Sequence, residues 1–208
     1  MDKAIRAHAR PGNGCTWKGL LTALSLFSAC QAAGANFYRL EVTQQGNRYH
    51  AVVIAHLCVT PEATYAALTD FAHLPDMSPD ISKVVLGKSE SANSQIVYLE
   101  TRGCAGIFCH SLKQLQLFTE LSPRDLIAVT LPAGSNVKYA SSSWHLEADG
   151  KGTRVYWETT LEPDFWIPPV IGTGLLRSAL RRQGRRFMTG IENWAGHGKT
   201  CLRALARE

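Results

Sequence analysis

The stretch PVIGTGLLRSALRRQGRRFMTGIENW, residues 169–194, decides how the rest of the chain is read. Ile171, Leu175, Leu176, Leu180, Phe187, Ile191 and Trp194 recur at steps of three, four and seven. That spacing is one face of an α-helix. Pro168 and Pro169 start it, because a proline at the first helical position forfeits no hydrogen bond. At the helical rise the segment spans about 39 Å, enough to cross a whole domain. Such a helix cannot leave its apolar face in water. Nearly everything between residues 38 and 162 reads as strand, so a curved antiparallel sheet is the expected cover.

Working outward, residues 37–43 form a short strand candidate, and Gly46-Asn47 a turn. Over residues 48–59, Tyr49, Ala51, Val53, Ala55 and Leu57 share one face, with His50, Val52, Ile54 and His56 on the other. A strand apolar on both faces is covered on both or lines a cavity. Thr60-Pro61-Glu62 starts a helix, with an N-cap, a first-turn proline and an acid favoured by the helix dipole. It runs to about residue 71. Leu74-Pro75-Asp76 begins a second short helix that Pro79 stops. Strands follow at 81–88, 95–102, 109–121, 125–131, 139–148 and 153–161. Short separators rich in Gly, Pro, Asn, Asp and Ser favour antiparallel hairpins over crossovers. The expected class is α+β, with seven strands around one long helix. No repeat or linker interrupts residues 36–208, which read as one domain.

The chain of 208 residues carries a net charge of +5. The first 35 residues hold Lys3, Arg6, Arg10 and Lys18 against Asp2, so the remainder is close to neutral. A nucleic-acid partner is not expected from that balance. Residues 1–35 read as an export signal: a basic region to Lys18, an apolar run too short to span a bilayer, then Ala33-Gly34-Ala35 as a small-x-small cleavage site. A rival reading is lipidation at Cys30, since Leu26-Phe27-Ser28-Ala29-Cys30 resembles a bacterial lipoprotein box. Either way the product is exported, periplasmic or secreted. Cys58, Cys104, Cys109 and Cys201 remain beyond the leader, an even number suited to an oxidising compartment. Cys104 and Cys109 bracket four residues between two strands, so a disulfide across a hairpin loop is easy. It would contribute about 2 kcal/mol by chain entropy.

Pro61-Glu62-Ala63-Thr64-Tyr65-Ala66-Ala67-Leu68-Thr69-Asp70-Phe71, then Leu74-Pro75 and Pro79-Asp80-Ile81, resembles the opening of START-like (SRPBCC) proteins of the polyketide cyclase/coenzyme-Q-binding type. The resemblance implies a helix-grip fold, in which a seven-stranded sheet curls around the C-terminal helix and encloses an apolar cavity. Members bind sterols, phospholipids, quinones, polyketides or plant hormones, and some are cyclases. In that topology the first strand pairs with the last and the helix returns toward the first strand's end. A second disulfide, Cys58–Cys201, follows from the resemblance.

The expected ligand is therefore a hydrophobic small molecule or lipid. Leu74, Met77, Tyr98, Trp144 and Trp157 are expected to line its cavity. Phe165, Leu176, Leu180 and Phe187 complete the set. The loop at residues 165–171 is almost uncharged and would serve as a lid or touch a membrane. Arg177, Arg181, Arg182, Arg185 and Arg186 occupy the helix face opposite the leucines; Arg177, Arg181 and Arg185 are candidates for lipid headgroups. Gly184 and Gly190 allow close approach or a kink.

No metal site, cofactor or catalytic residue is expected. No zinc-protease, haem, hydrolase or phosphate-loop motif occurs. Histidines and carboxylates on strands, such as His145 with Glu147, read as solvated or cross-strand paired. Asp70 reads as a backbone-bonding residue at a helix end. The enzymatic alternative is a cyclase or dehydratase acting on a polyketide-like substrate, which needs Glu100, Glu158 or a histidine inside the cavity. A third reading is an interaction module with a filled interior.

Overall fold

Hairpins form where the sequence places its turns. The computed structural model describes residues 36–89, 91–105, 107–165 and 173–196. The expected leader at 1–35, Trp166, the prolines at 168 and 169 and Cys201 lie outside the described residues, as does the side chain of Leu176. The order is β1 (Asn36–Gln45), β2 (Arg48–Leu57), α1 (Pro61–Thr69), a 3-10 turn (Phe71–His73), α2 (Leu74–Met77), β3 (Ile81–Leu86), β4 (Ser94–Ala105), β5 (Phe108–Ser122), β6 (Asp125–Leu131), β7 (Val137–Asp149), β8 (Gly152–Pro163) and α3 (Thr173–Ala195). The class is α+β.

The strands form one antiparallel sheet in the order β1-β2-β8-β7-β6-β5-β4-β3. It has eight strands rather than seven. Gly46, at φ 60°, turns the chain so that β1 folds back on β2. Leu40 then faces Val53, and Val42 faces Ala51, so the extra strand extends the same apolar face. The core of the match to a helix grip is β2 against β8, Tyr49 to Leu161 through Leu57 to Thr153.

The packing of α3 requires the sheet to curl. The helix touches β1, β2 and β4. In a flat sheet β1 and β4 would stand about 29 Å apart, whereas a helix with its side chains is about 10–12 Å across. Only a sheet rolled around α3 brings both within reach.

Local chemistry holds the other helices in place. The Thr60 hydroxyl accepts from the Ala63 amide at 3.3 Å, with Pro61 and Glu62 in the first turn of α1. Thr64, wholly buried, donates to the Thr153 hydroxyl, which donates to the Val59 carbonyl, so α1 is pinned to β8. Gly190 answers the question its sequence position raised. A Cβ there would lie 1.7 Å from the Met77 carbonyl oxygen, so the glycine exists for the contact between α3 and α2. Leu57, Leu126, Leu146, Met188 and Ile191 form the heart of the core.

A disulfide joins Cys104 to Cys109 at the tip of the β4–β5 hairpin. Arg182 donates to the Cys104 carbonyl at 3.0 Å and Gln183 to the Arg102 carbonyl at 2.9 Å, docking this tip on α3. The arginine face of α3 is thus only partly a solvated one, since Arg186 also pairs with Asp80 at 2.8 Å.

Candidate functional site

The concave face of the sheet, under α3, carries the candidate site. Its members follow from the two-residue period of each strand. On β7, Ala140, Ser142, Trp144 and Leu146 point inward. On β8 their partners are Leu161, Thr159, Trp157 and Val155. Trp144 and Trp157 face each other across the ladder, their rings 6.3 Å apart and within 3° of parallel. Phe118 lies 6.1 Å from Trp144, and Phe71 lies 4.6 Å from Phe118. An aromatic row therefore crosses the concave face from the 3-10 turn to β8.

Both indole N–H groups in that row are buried, and among the described residues neither has a hydrogen-bond acceptor. An unsatisfied buried donor costs roughly 1–3 kcal/mol. Proteins seldom carry two such costs side by side without a use for them. Beyond the indoles the face turns mildly polar and small. Gln114 and Gln116 donate to Thr130, and Ser142 donates to Thr159. Ala51, Ala128 and Ala140 are buried on the sheet side, Ala179 and Gly184 on the helix side.

Ser142, Trp157, Thr159 and Leu161 point inward yet stay only half-buried. Inward residues in a filled interior would be buried. What this arrangement offers chemically is stacking surface and hydrogen-bond donors, with no acid or base among the inward residues just named.

The ionisable groups stand elsewhere. His50 pairs with Glu158 at 2.7 Å on the outer face. His145 contacts Asp125 at 2.6 Å and Glu147 at 3.5 Å, and the Tyr156 hydroxyl donates to Glu147. The bond to Asp125 raises the His145 pKa, and bonds from Ser122 and His145 lower that of Asp125. These are the cross-strand pairs expected of strand charges. Asp70 accepts from Trp194 Nε1 at 3.2 Å and bonds His73 at 2.7 Å. It borders an open groove of about 530 Å³ between the alanines of α1 and the end of α3. No group of three or more metal-ligating side chains occurs among the described residues.

The expected lining residues divide. Trp144 and Trp157 are on the concave face, and Phe187 and Trp157 pack against its core. Leu180 is half-buried on α3. Leu74 and Met77 are sealed into the core at the α2–α3 contact. Tyr98 is a correction. It alternates with buried Val97 and Leu99, so it points outward, facing Leu115 and Val85. Phe165 stacks on His110 at 3.6 Å, beside the disulfide-bonded hairpin. Leu176 and the Cys58–Cys201 pairing fall outside the described residues. Phe118, Gln114, Gln116 and Thr130 were missed. Their signal was the strand period on β5 and β6, since each shares the inward face.

The family model described as polyketide cyclase/dehydrase and lipid transport matches residues 49–194. No curated protein matches the chain. Similar solved structures include a protein of Thermus thermophilus, 15% identical over 73% of this chain and 99% of that one, TM-score 0.60. The Zhui aromatase/cyclase of a Streptomyces species is 15% identical over 72% and 94%, TM-score 0.57. A STAR-related lipid transfer protein of Xanthomonas axonopodis is 14% identical over 79% and 99%, TM-score 0.56. At such identities the likeness is one of fold.

Proposed function

The chain belongs to the polyketide cyclase/dehydrase and lipid-transport family, and from that premise we propose that it binds a hydrophobic small molecule between the sheet and α3 without transforming it. A lipid, isoprenoid or quinone fits. The observation that supports this reading is the pair of buried indole N–H groups on the concave face. A ligand with oxygen acceptors on an apolar frame would stack on the rings and satisfy the donors. Organic extraction of the protein purified from its native envelope, with mass spectrometry of the extract, tests it. A reproducible oxygenated apolar compound is expected, and a protein that is always empty and takes up no such compound would sink the reading.

The enzymatic reading lacks groups where it needs them. Glu158 pairs with His50 on the outer face, and Glu100 shares the outward register of Tyr98. Described histidines on the sheet face outward, apart from His110, which shares the inward register of Gln114 at the hairpin tip and stacks on Phe165. General acid–base work requires a titratable group within hydrogen-bond reach of the reacting atom.

The protein is also proposed to work outside the cytoplasm. The Cys104–Cys109 bond is what an oxidising compartment supports. Cell fractionation that recovers an uncleaved chain in the cytoplasm would refute this. Arg177 and Arg181 are exposed on α3 and are the groups proposed to meet an anionic membrane surface during ligand exchange.

A further inference from the structure

The concave face is sealed at one end and opens by steps toward the other. Near α1, Leu146 and Val155 are buried, and the Thr64–Thr153 bond holds the helix on β8. One two-residue step along the strands come Trp144 and Trp157 with their unpartnered N–H groups. The next step holds Phe118, Ala128, Ser142 and Thr159. Beyond it lie Gln116 and Thr130, which are cross-strand partners.

That last level is polar although it is buried. Gln116 is 9% exposed and Thr130 6%. The Thr130 hydroxyl accepts from Gln114 Nε2 at 3.2 Å and from Gln116 Nε2 at 3.4 Å. Accepting twice uses both lone pairs of the hydroxyl oxygen and leaves its proton to donate. Among the described residues that proton has no acceptor, and neither carboxamide oxygen has a donor. The carboxamide oxygens are not sealed from water as the indole nitrogens are. One donor and two acceptors therefore open on the space between the sheet and α3. A ligand hydroxyl both donates and accepts, so it matches them.

What separates the two polar levels is small or already satisfied. Ala51, Ala128 and Ala140 are buried and short. Ser142 donates to Thr159, which donates to the Ser141 carbonyl. Thr130 stands four residues along β6 from Leu126, the partner of Trp144. Four residues of strand span about 13 Å.

We propose that the ligand is polar at both ends: an elongated apolar molecule with an oxygen acceptor at the indoles and a hydroxyl at Gln114, Gln116 and Thr130, about 13 Å away. The inference rests on the concave-face reading above and narrows it. A lipid with a single polar head leaves one of the two levels unmatched. A diol or keto-alcohol on an extended hydrocarbon frame matches both. Its hydroxyl donates to a carboxamide oxygen and accepts the Thr130 proton. A site built to bond a hydroxyl discriminates against the analogue that lacks it, because buried polar groups are then left unpaired.

Decanol and the decanediol with a hydroxyl at each end differ by the group in question. Displacement of N-phenylnaphthylamine from the full chain, disulfide intact, measures both dissociation constants. The diol should bind at least as tightly as decanol, although water holds it more firmly by one hydroxyl. Replacing the cross-strand pair together, Gln116→Leu with Thr130→Val, should weaken the diol at least tenfold. Decanol should hold or tighten, since its one hydroxyl retains the indole end. Thr130→Ser, which keeps the hydroxyl, should preserve the preference of the parent, and Trp144→Phe should weaken both compounds. A diol that binds the parent tenfold or more weaker than decanol overturns the proposal while leaving an apolar ligand site in place. So does a diol affinity that the paired replacement leaves unchanged. Failure of both compounds to displace the dye would end the concave-face reading along with it.

Discussion

At the scale of single residues, two tryptophans separate a ligand role from a packing role. Replacing either by phenylalanine keeps an aromatic ring in the row and removes the N–H together with part of the ring volume. If the N–H groups hold a ligand oxygen, Trp144→Phe and Trp157→Phe should each weaken binding of the extracted compound about tenfold, one hydrogen bond's worth. Stability without ligand should change little, because removing an unsatisfied donor offsets part of the cost of the lost ring volume. Fluorescence titration and urea denaturation read the two effects separately.

His145 and Asp125 give a second residue-scale expectation. The folded His145 pKa is raised by its bond to Asp125, so its contribution is complete below the unfolded value near 6.5. It is lost as pH rises through the folded value above that. The folded Asp125 pKa is lowered, so its contribution is present above the unfolded value near 3.9 and lost as pH falls below it. The pair contributes most between roughly pH 4 and 6.5. Both side chains are well exposed, at 47% and 39%, so solvent screening holds the effect under about 1 kcal/mol. The urea midpoint of His145→Gln should trail the parent most near pH 5 and approach it above pH 8.

At the scale of elements, α3 is fixed along its length by different means. Its middle is tied to the β4–β5 hairpin by Arg182 and Gln183. Near its end Glu192, only 7% exposed, accepts the Cys58 amide at 2.9 Å, and Gly190 meets the backbone of α2. Backbone cannot be displaced as a flexible side chain can. Gly190→Ala should therefore cost about 3 kcal/mol or more, although alanine is the better helix former by about 1 kcal/mol. Urea unfolding followed by circular dichroism measures it. A stabilised variant would mean that the helix does not lie against α2. Element-scale contacts also explain why the arginine face of α3 is not uniformly available. Arg182 and Arg186 bond within the protein, whereas Arg177 and Arg181 stay exposed.

At the scale of the whole molecule, the concave face needs an occupant for its donors and its half-buried inward side chains. A ligand bound only by the folded chain stabilises it by mass action, about 2.7 kcal/mol at one hundred times its dissociation constant. Adding the extracted compound at that excess should raise the thermal midpoint by several degrees. An unchanged midpoint, with the compound verified in solution, would exclude specific binding to the folded state.

The element order, the antiparallel pairing, the caps of α1, the hairpin disulfide and the gripping helix were all legible in the sequence. Each depends on neighbours along the chain: strand alternation, turn residues, helical spacing, a short loop between cysteines. The eighth strand was visible as a candidate but uncounted, since only pairing with β2 makes an isolated apolar run a strand of the sheet. What tertiary structure alone decided was which side of each strand faces α3. Tyr98 reads as well for the inside as for the outside until Val97 and Leu99 are seen buried. Phe118 and the glutamines beside it join the site only through the curl that brings β5 near β7. A one-residue change of register would exchange the two faces. The site's membership is therefore a property of register and curl, which contacts between distant residues set.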